Sequence, residues 1–217
     1  MPDCFSMDDP GSVAAILMAS GFSERFGGRN KLLVPFRGKP LVRYTLELAC
    51  SFNGLFSEPT NDSFENAPGF PGGIFFVAAS NEVIALASDL PMVRSIKNLS
   101  PEKGLRESVR LGVEAAANAA YYLFFPCDMP FLDEDTVRCI LEARRPGCIV
   151  EPRFRERPVN PCLFSAHFRE NLLSLKEGET PRKIKASNPE AIRIVDIPKP
   201  LPVTDIDDEE KFRKLEL

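Results

Sequence analysis

The apolar run Val13-Ala-Ala-Ile-Leu-Met-Ala19 leads directly into the loop Ser20-Gly-Phe-Ser-Glu-Arg-Phe-Gly-Gly-Arg-Asn-Lys31. The run has the length and composition of a buried strand. Glycines in the loop let its backbone approach a bulky anion, and Arg25 and Lys31 supply a planar fork and a compact point charge. Backbone N–H groups and cations at the end of a buried strand are suited to bind a polyphosphate. Taken alone, the loop is explained equally well as an ordinary turn with solvated charges.

The composition is that of one globular α/β domain. The 217 residues are 44% hydrophobic, enough for a substantial core that needs neither disulfides nor metal. The net charge of −4 argues against a general nucleic-acid-binding protein, which would be strongly basic. No apolar run has the length of a membrane span, and the first residues lack a signal-peptide pattern. We therefore expect a cytoplasmic protein with neither nucleic acid nor membrane as a partner.

The cysteines and the single histidine offer little support for metal or nucleophile chemistry. The six cysteines form no Cys-x-x-Cys pair and have no zinc-site spacing, so we expect small buried side chains in a reducing compartment. Cys127 lies beside a candidate site, but a redox or ligand role is the less favoured interpretation. His167 is far from any Gly-x-Ser-x-Gly turn, which disfavours a Ser/His or Cys/His hydrolase.

Apolar runs alternate with helical patterns along the chain, which predicts an α/β fold with a mainly parallel sheet and helices on both faces. The predicted strands span 13–19, 74–79, 92–96, 121–126, 147–151, 159–164 and 191–196. The predicted helices lie near 40–50, 81–88, 105–118, 133–145, 166–175, 181–187 and 207–215. Asp133 and Ser165 are expected to cap two of these helices. The segment 51–73, rich in proline, glycine and polar residues, is predicted to be a long surface loop within a single domain spanning 1–217.

A second group of chemically active residues follows the fully apolar strand predicted at 121–126. Cys127-Asp-Met-Pro130 comes directly after it, so Asp128 is expected at the carboxyl end of a central strand, where ligands bind in open α/β sheets. One carboxylate there can hold Mg²⁺ whose other ligands are water and substrate phosphates. Capping of the next helix is the alternative role, but Asp133 is better placed for it. The metal role is therefore favoured.

Several motifs follow one another in a recognisable order. The segment from Leu17 to Lys31 is similar to the loop pattern Leu-Ala-Ala-Gly-x-Ser-x-Arg-x-Gly-x-x-Lys. Gly104-Leu-Arg-Glu-Ser-Val-Arg-Leu-Gly112 is similar to the block Gly-x-x-x-Ser-(Leu/Val)-Arg-x-Gly, and Cys127-Asp-Met-Pro130 to an Asp-(Gln/Met)-Pro turn. Further similar blocks begin at Pro35, Gly178 and Thr204. In pattern and order they resemble the MobA-like nucleotidyltransferases, and most of all the molybdenum cofactor cytidylyltransferases.

This resemblance implies a three-layer Rossmann-like nucleotidyltransferase domain whose core runs from about 13 to 212. It also implies an activity, the Mg²⁺-dependent transfer of CMP from CTP to molybdopterin cofactor with release of pyrophosphate. A second interpretation keeps the chemistry but uses GTP, or takes a sugar or alditol phosphate as the acceptor. The remaining alternative is a non-catalytic partner, which binds nucleotide or cofactor and delivers it to a molybdenum hydroxylase.

Carried over by position, the resemblance also implies roles for individual residues. Those expected to bind the nucleotide are Ala19, Ser20, Gly21, Arg25, Lys31, Gly104 and Ser108. Those expected to act in catalysis are Arg25 and Lys31, which would hold the phosphates, and Asp128, which would bind the metal. Asp205 or Asp207 would supply a second metal carboxylate, and the sequence does not choose between them.

Departures from the family pattern cluster on the acceptor side. Asn160-Pro161 stands where a Gly-His-Pro or Gly-Asn-Pro turn is common, and a charged run precedes it. Arg153, Arg155 and Arg157 of this run could meet an anionic acceptor, although a solvated strand edge is the favoured interpretation. The acceptor is therefore less firmly implied than nucleotide transfer itself.

Overall fold

A central sheet organises the computed structural model, which describes residues 11–21, 30–52, 72–206 and 208–216. The strands of this sheet are β1 (Val13–Ala19), β4 (Ile74–Ala78), β5 (Val93–Lys97), β6 (Tyr121–Pro126), β7 (Ile149–Phe154), β8 (Arg157–Pro158), β9 (Cys162–Ser165) and β10 (Ile192–Asp196). A separate hairpin is made by β2 (Pro35–Phe36) and β3 (Lys39–Pro40). The helices are α1 (Leu41–Ser51), α2 (Asn81–Ala85), α3 (Leu105–Ala115), α4 (Glu134–Glu142), α5 (Arg169–Leu173), α6 (Pro181–Ser187) and α7 (Glu209–Glu216).

Most neighbouring strands of the large sheet run parallel. Their order is β10-β7-β9-β6-β1-β4-β5, with β8 paired to β7. β1 lies between β4 and β6 and is parallel to both. The pairs β4–β5 and β7–β10 are parallel as well. The prediction of a mainly parallel sheet is therefore confirmed.

β9 is the strand that runs against its neighbours. It pairs antiparallel with both β6 and β7. Residues 155–161 alone separate β7 from β9, too few for the crossover that a parallel pair requires. The chain turns back through β8 instead, and β7 therefore extends to Phe154, beyond its predicted end at 151.

Helices cover both faces of the sheet and create two apolar layers. Side chains of β1 alternate between these layers, because successive strand residues face opposite sides. Val13, Ala15 and Leu17 pack with α1 and α4, whereas Ala14 and Ile16 pack with α3 and α5. All five are at most 5% exposed. The predicted three-layer α/β arrangement is confirmed, and it holds the carboxyl end of β1 in the middle of the domain.

Some element boundaries differ from the prediction. Ser51 ends α1, so the predicted loop 51–73 begins too early, and residues 53–71 lie outside the described part of the chain. A 3₁₀ turn precedes α5, and α2 ends three residues before its predicted limit. The β2–β3 hairpin was not predicted, because strands of two residues carry no alternation to detect. None of the described helices is long and apolar enough to cross a membrane.

The two predicted helix caps are confirmed. The Asp133 carboxylate accepts a hydrogen bond from the N–H of Thr136 at 2.9 Å and begins α4. The Ser165 hydroxyl accepts one from the N–H of His167 at 3.3 Å and begins the 3₁₀ turn before α5. Each side chain satisfies a backbone donor that the first turn leaves unpaired.

Close packing of α3 on β1 can be tested by a single added methyl group. A Cβ atom at Gly112 would lie 2.4 Å from Cγ2 of Ile16, whose side chain is fully buried. Alanine favours a helix interior by about 1 kcal/mol over glycine, but overpacking of this contact costs about 3 kcal/mol. We expect Gly112→Ala to lower the free energy of unfolding in urea by about 2 kcal/mol. Glu114→Ala on the exposed face of α3 should change it by less than about 0.5 kcal/mol, and equal losses would contradict the packing.

Candidate active site

A cavity of about 390 Å³ opens where β1 and β6 end, and most of the predicted site residues meet there. Parallel strands present their carboxyl ends at one edge of a sheet, which brings distant segments together. Of the predicted nucleotide and metal residues, those that line the cavity are Ser20, Gly21, Lys31, Gly104, Ser108 and Asp128. Ala19 is buried at the end of β1. Arg25 and Asp207 lie outside the described residues.

Lys31 and Asp128 form the charged centre of the cavity. Lys31 begins a 3₁₀ turn that the side chain of Asn30 caps. Its Nζ donates to Oδ2 of Asp128 at 2.7 Å and to the carbonyl oxygen of Ile206 at 2.8 Å. The two charged side chains are 14% and 19% exposed, so protein atoms shield much of the pair from water. An ion pair in such surroundings is screened less than one on the surface.

Ile206 joins the C-terminal segment to this pair through its backbone. Its N–H donates to the carbonyl oxygen of Asp128 at 2.9 Å, while its own carbonyl accepts from Lys31. The side chain of Ile206 is fully buried, which fixes the position of these backbone groups. Three segments that are far apart in sequence are thereby held at one point. The sequence indicated the block that begins at Thr204, but not this backbone role.

One oxygen of Asp128 lacks a hydrogen-bond donor among the described residues, which makes it a candidate cation ligand. Oδ1 is buried and has no hydrogen-bond partner among the described residues, whereas Oδ2 accepts from Lys31. A buried carboxylate oxygen without a donor is costly, so a cation there would be stabilising. The described residues contain no cluster of three or more His, Cys, Asp or Glu side chains that could hold a metal. A cation at Asp128 would therefore share its coordination with water and substrate oxygens.

Asp205 lies next to this centre in sequence but pairs elsewhere. Its carboxylate accepts from Nζ of Lys211 at 2.8 Å and is 46% exposed. It is not among the residues that line the cavity. The role of a second metal carboxylate, assigned from sequence to Asp205 or Asp207, stays a prediction.

The start of the first loop is anchored to the neighbouring strand. The Ser20 hydroxyl donates to the carbonyl oxygen of Val77 in β4 at 3.3 Å. Gly21 follows at the cavity, and a Cβ atom built there would have no heavy atom of the described residues within 4 Å. No described atom therefore crowds this backbone, and the binding of a phosphate group here stays a prediction.

Asn98 organises the opposite wall of the cavity, a role that was not predicted from the sequence. It directly follows β5, and its side chain is 1% exposed. Its Oδ1 accepts from the N–H of Ser100 at 2.9 Å, and its Nδ2 donates to Oγ of Ser108 at 3.4 Å. Gly104 turns the chain into α3 with φ of 74°, a conformation that glycine adopts without strain. The available signal was a polar residue at the carboxyl end of a strand, the position that singled out Asp128.

The described cysteines and the histidine show no arrangement for nucleophilic catalysis. Burial, and then the negative charge of Asp128, raise the pKa of the Cys127 thiol well above its usual value. A thiol that stays protonated is a poor nucleophile and metal ligand. His167 packs edge-to-face on Phe168, with ring centroids 5.2 Å apart, and does not line the cavity. Cys139 is exposed, so the expectation of buried cysteines is wrong for this residue.

The three arginines on the predicted acceptor side separate into two groups. Arg153 lines a second cavity, and its Nε donates to Oε1 of Glu151 at 2.9 Å. Arg155 is exposed, and its guanidinium lies over the ring of Phe154 at 5.1 Å from the centroid. Arg157 is exposed on β8. The solvated strand edge thus describes Arg155 and Arg157, whereas Arg153 faces a cavity.

Proteins of similar sequence include enzymes named for molybdenum cofactor chemistry. Molybdenum cofactor guanylyltransferases of Yersinia pseudotuberculosis and Yersinia pestis are 24% identical to this chain over 136 residues. The match covers 62% of this chain and 58% of those proteins. The chain therefore matches little more than half of their length.

Solved structures of similar fold match almost the whole chain. Rv0371c from Mycobacterium tuberculosis H37Rv has a TM-score of 0.74 at 20% identity. The match covers 96% of this chain and 99% of Rv0371c. A nucleotidyl transferase from Methanothermobacter thermautotrophicus has a TM-score of 0.75 at 18% identity, with 94% of this chain and 96% of that one covered. At such identities the likeness establishes the fold alone, an α/β Rossmann-like domain.

The family is decided by the match along the sequence itself. The MobA-like NTP transferase domain matches residues 15–191, from the first buried strand to the residue before β10. This range includes the two described ends of the first loop, the α3 block and the Asp128 turn, which meet at the cavity. The chain belongs to the MobA-like NTP transferase domain family.

Proposed function

We propose that this chain transfers CMP from CTP to a phosphate of molybdopterin cofactor and releases pyrophosphate. The observation that carries the proposal is the position of the Lys31–Asp128 pair inside a cavity at the carboxyl ends of β1 and β6. Among the described residues, the cavity brings together both ends of the first loop, the Lys31 cation and the Asp128 carboxylate, of which one oxygen has no hydrogen-bond partner there. Nucleotidyl transfer needs little more than this from a protein.

The residues of the cavity act by alignment and by charge. Nucleophilic attack comes from the acceptor phosphate, so no protein nucleophile is required, and positioning accounts for much of the rate. Lys31, which lines the cavity, is proposed to balance negative charge on the departing pyrophosphate. The backbone at Gly21, which no described atom crowds, is proposed to let the phosphates approach closely. Arg25 is proposed to add a second cation to the same phosphates.

Mg²⁺ is the proposed cofactor, and the site has one group that fits it. Oδ1 of Asp128 is the buried oxygen without a hydrogen-bond donor among the described residues, and Mg²⁺ is commonly held by one or two carboxylates plus substrate phosphates. When bound, the metal would neutralise phosphate charge during transfer. Asp205 and Asp207 are the candidates for a second carboxylate. Lys31 holds Asp128 in place through its other oxygen, Oδ2.

The nucleotide is the part of the proposal for which two candidates deserve testing. The sequence of the first loop resembles that of the molybdenum cofactor cytidylyltransferases most, which favours CTP. The similar proteins of Yersinia are named guanylyltransferases, which favours GTP as the second candidate. Preferential binding stabilises a fold by about 2.7 kcal/mol when the ligand is present at 100 times its Kd. We expect CTP with Mg²⁺ to raise Tm more than GTP, ATP or UTP does.

The acceptor is tested by release of pyrophosphate. Purified protein is incubated with each nucleoside triphosphate, Mg²⁺ and either molybdopterin or a sugar phosphate. Turnover with CTP and molybdopterin is the expected result. Turnover with GTP but not with CTP would show that GTP is the nucleotide donor. Activity with a sugar phosphate but not with molybdopterin would overturn the acceptor. If no pair reacts, while delivery of cofactor to a molybdenum hydroxylase survives Asp128→Asn, the non-catalytic partner is the better description.

A further inference from the structure

A second cavity, of about 530 Å³, lies between β7 and α6. Its charged lining consists of Glu151, Arg153, Arg182 and Lys185. Three positive charges and one negative charge give the lining a formal charge of +2. A concave surface with this charge is suited to an anion with two negative charges, such as a phosphate monoester at neutral pH.

Glu151 fixes two of the three cations. Its side chain is 4% exposed, and it accepts from Nζ of Lys185 at 2.6 Å and from Nε of Arg153 at 2.9 Å. The contact with Arg153 uses Nε, so the terminal nitrogens of the guanidinium fork are not engaged by Glu151. The buried carboxylate thus orders two long side chains at the wall of the cavity before any ligand arrives, which reduces the entropy lost on binding.

Arg182 is the third cation, and it differs from the other two. It is exposed on the first turn of α6 and makes no ion pair with any residue in the described ranges. A guanidinium can donate two parallel hydrogen bonds to a phosphate. Arg182 is therefore the side chain that would contact an anion most directly.

The two cavities share one residue. Asn160 lines the nucleotide cavity beside Asp128 and also lines the second cavity beside Arg153. A two-substrate transfer requires the attacking oxygen to lie next to the α-phosphorus of the nucleotide, and a shared wall provides that proximity. The position of Asn160 thus connects the cationic cavity to the reaction.

We infer that the second cavity binds the phosphate monoester of the acceptor, with Arg182 as a direct contact and Glu151 as the residue that positions Lys185 and Arg153. This inference rests on the proposed function. An oxygen of the monoester dianion forms a bond to the α-phosphorus as the bond from that phosphorus to the bridging oxygen breaks. Pyrophosphate leaves with the electron pair, and the attacking dianion has no proton to lose.

The decisive comparison is between Arg182→Gln and Arg155→Gln. Both changes remove one exposed guanidinium, but Arg155 lies over Phe154 and does not line the cavity. A hydrogen bond to a charged group corresponds to an affinity change of about 10- to 100-fold. Arg182→Gln is expected to raise KM for the acceptor by that factor and to leave KM for the nucleotide unchanged. Arg155→Gln is expected to change neither.

A binding measurement keeps this test separate from that of the transferase activity. Binding of inorganic phosphate, without nucleotide, is measured by calorimetry on the wild type and both variants. If Arg182→Gln binds phosphate more weakly than wild type and Arg155→Gln does not, the second cavity is supported as a phosphate site. If, in addition, the wild type shows no turnover, the transferase proposal is overturned but the phosphate site is not. The inference is overturned if the wild type is active and the two variants have the same KM for the acceptor and the same affinity for phosphate. A Tm of Arg182→Gln equal to that of wild type shows that the weaker binding does not come from a damaged fold.

Discussion

Replacing Asp128 with asparagine is expected to lower kcat for nucleotidyl transfer about 1000-fold, a loss of about 4 kcal/mol in transition-state stabilisation. The amide has no negative charge, and when its oxygen faces Lys31 its NH2 group occupies the buried Oδ1 position, so the affinity for a divalent cation is lost. An amide oxygen can still accept the hydrogen bond from Lys31, and the backbone link to Ile206 does not involve the side chain. The folded structure should therefore persist while catalysis fails.

The readouts for this variant separate metal binding from nucleotide binding. Steady-state kinetics with increasing Mg²⁺ gives kcat, and calorimetry in the presence of EDTA gives nucleotide affinity, which should stay within about threefold of wild type because other groups bind the nucleotide. Asp133→Asn is the matched control. It makes the same chemical change five residues away, and asparagine caps a helix as well as aspartate does. A kcat for Asp128→Asn within tenfold of wild type would exclude a metal role for this residue.

Much of the fold could be predicted because its strands carry their own signals. β1 and β6 are unbroken apolar runs of strand length, and the structure places them side by side at the centre. The antiparallel orientation of β9 could not be predicted from the apolar pattern, because periodicity indicates a strand but not its direction. Only the short link through β8 decides it. The β2–β3 hairpin was not predicted because tertiary packing stabilises it. One such contact is that of Phe36 on Phe212, with ring centroids 5.3 Å apart.

The candidate site likewise contains residues that could be predicted from the sequence and residues that could not. Lys31 and Asp128 were predicted from residue type and from their positions after strands, and the structure brings them within 2.7 Å. Asn98 and the backbone of Ile206 were not predicted, because their roles depend on contacts between segments distant in sequence. Glu151 was missed for a related reason. It lies within a strand that is otherwise apolar at its start, and only the fold shows that two cations meet its carboxylate.

The second large effect is expected from Glu151→Gln, on stability rather than on the chemical step. Burial acts to raise the pKa of the Glu151 carboxyl, but the hydrogen bonds from Lys185 and Arg153 outweigh it and lower that pKa below its ordinary value. Removal of one partner from a buried ion pair leaves the other charge uncompensated, and Lys185 is only 12% exposed. We expect the free energy of unfolding at pH 7 to fall by about 3 kcal/mol.

The pH dependence of this loss follows from the direction of the pKa shift. A carboxyl whose pKa is lower in the folded state stabilises the fold fully above its unfolded pKa of about 4.3, and the stabilisation disappears as pH falls through the folded value. The difference between wild type and Glu151→Gln should therefore be greatest near neutral pH and shrink below about pH 4. Urea denaturation at a series of pH values measures it. A difference that stayed constant down to pH 3 would contradict this origin.

Two further variants identify the buried ion pair as the cause. Glu47 also accepts from two cations, Lys39 and Arg43, but its side chain is 41% exposed, so Glu47→Gln should cost less than about 1 kcal/mol. Adding Lys185→Met to Glu151→Gln removes the uncompensated charge and should restore about 2 kcal/mol of the loss. If the double variant were less stable than Glu151→Gln alone, the damage would come from lost packing of the lysine chain. Restoration would instead show that Glu151 holds a cation which the fold cannot leave unpaired.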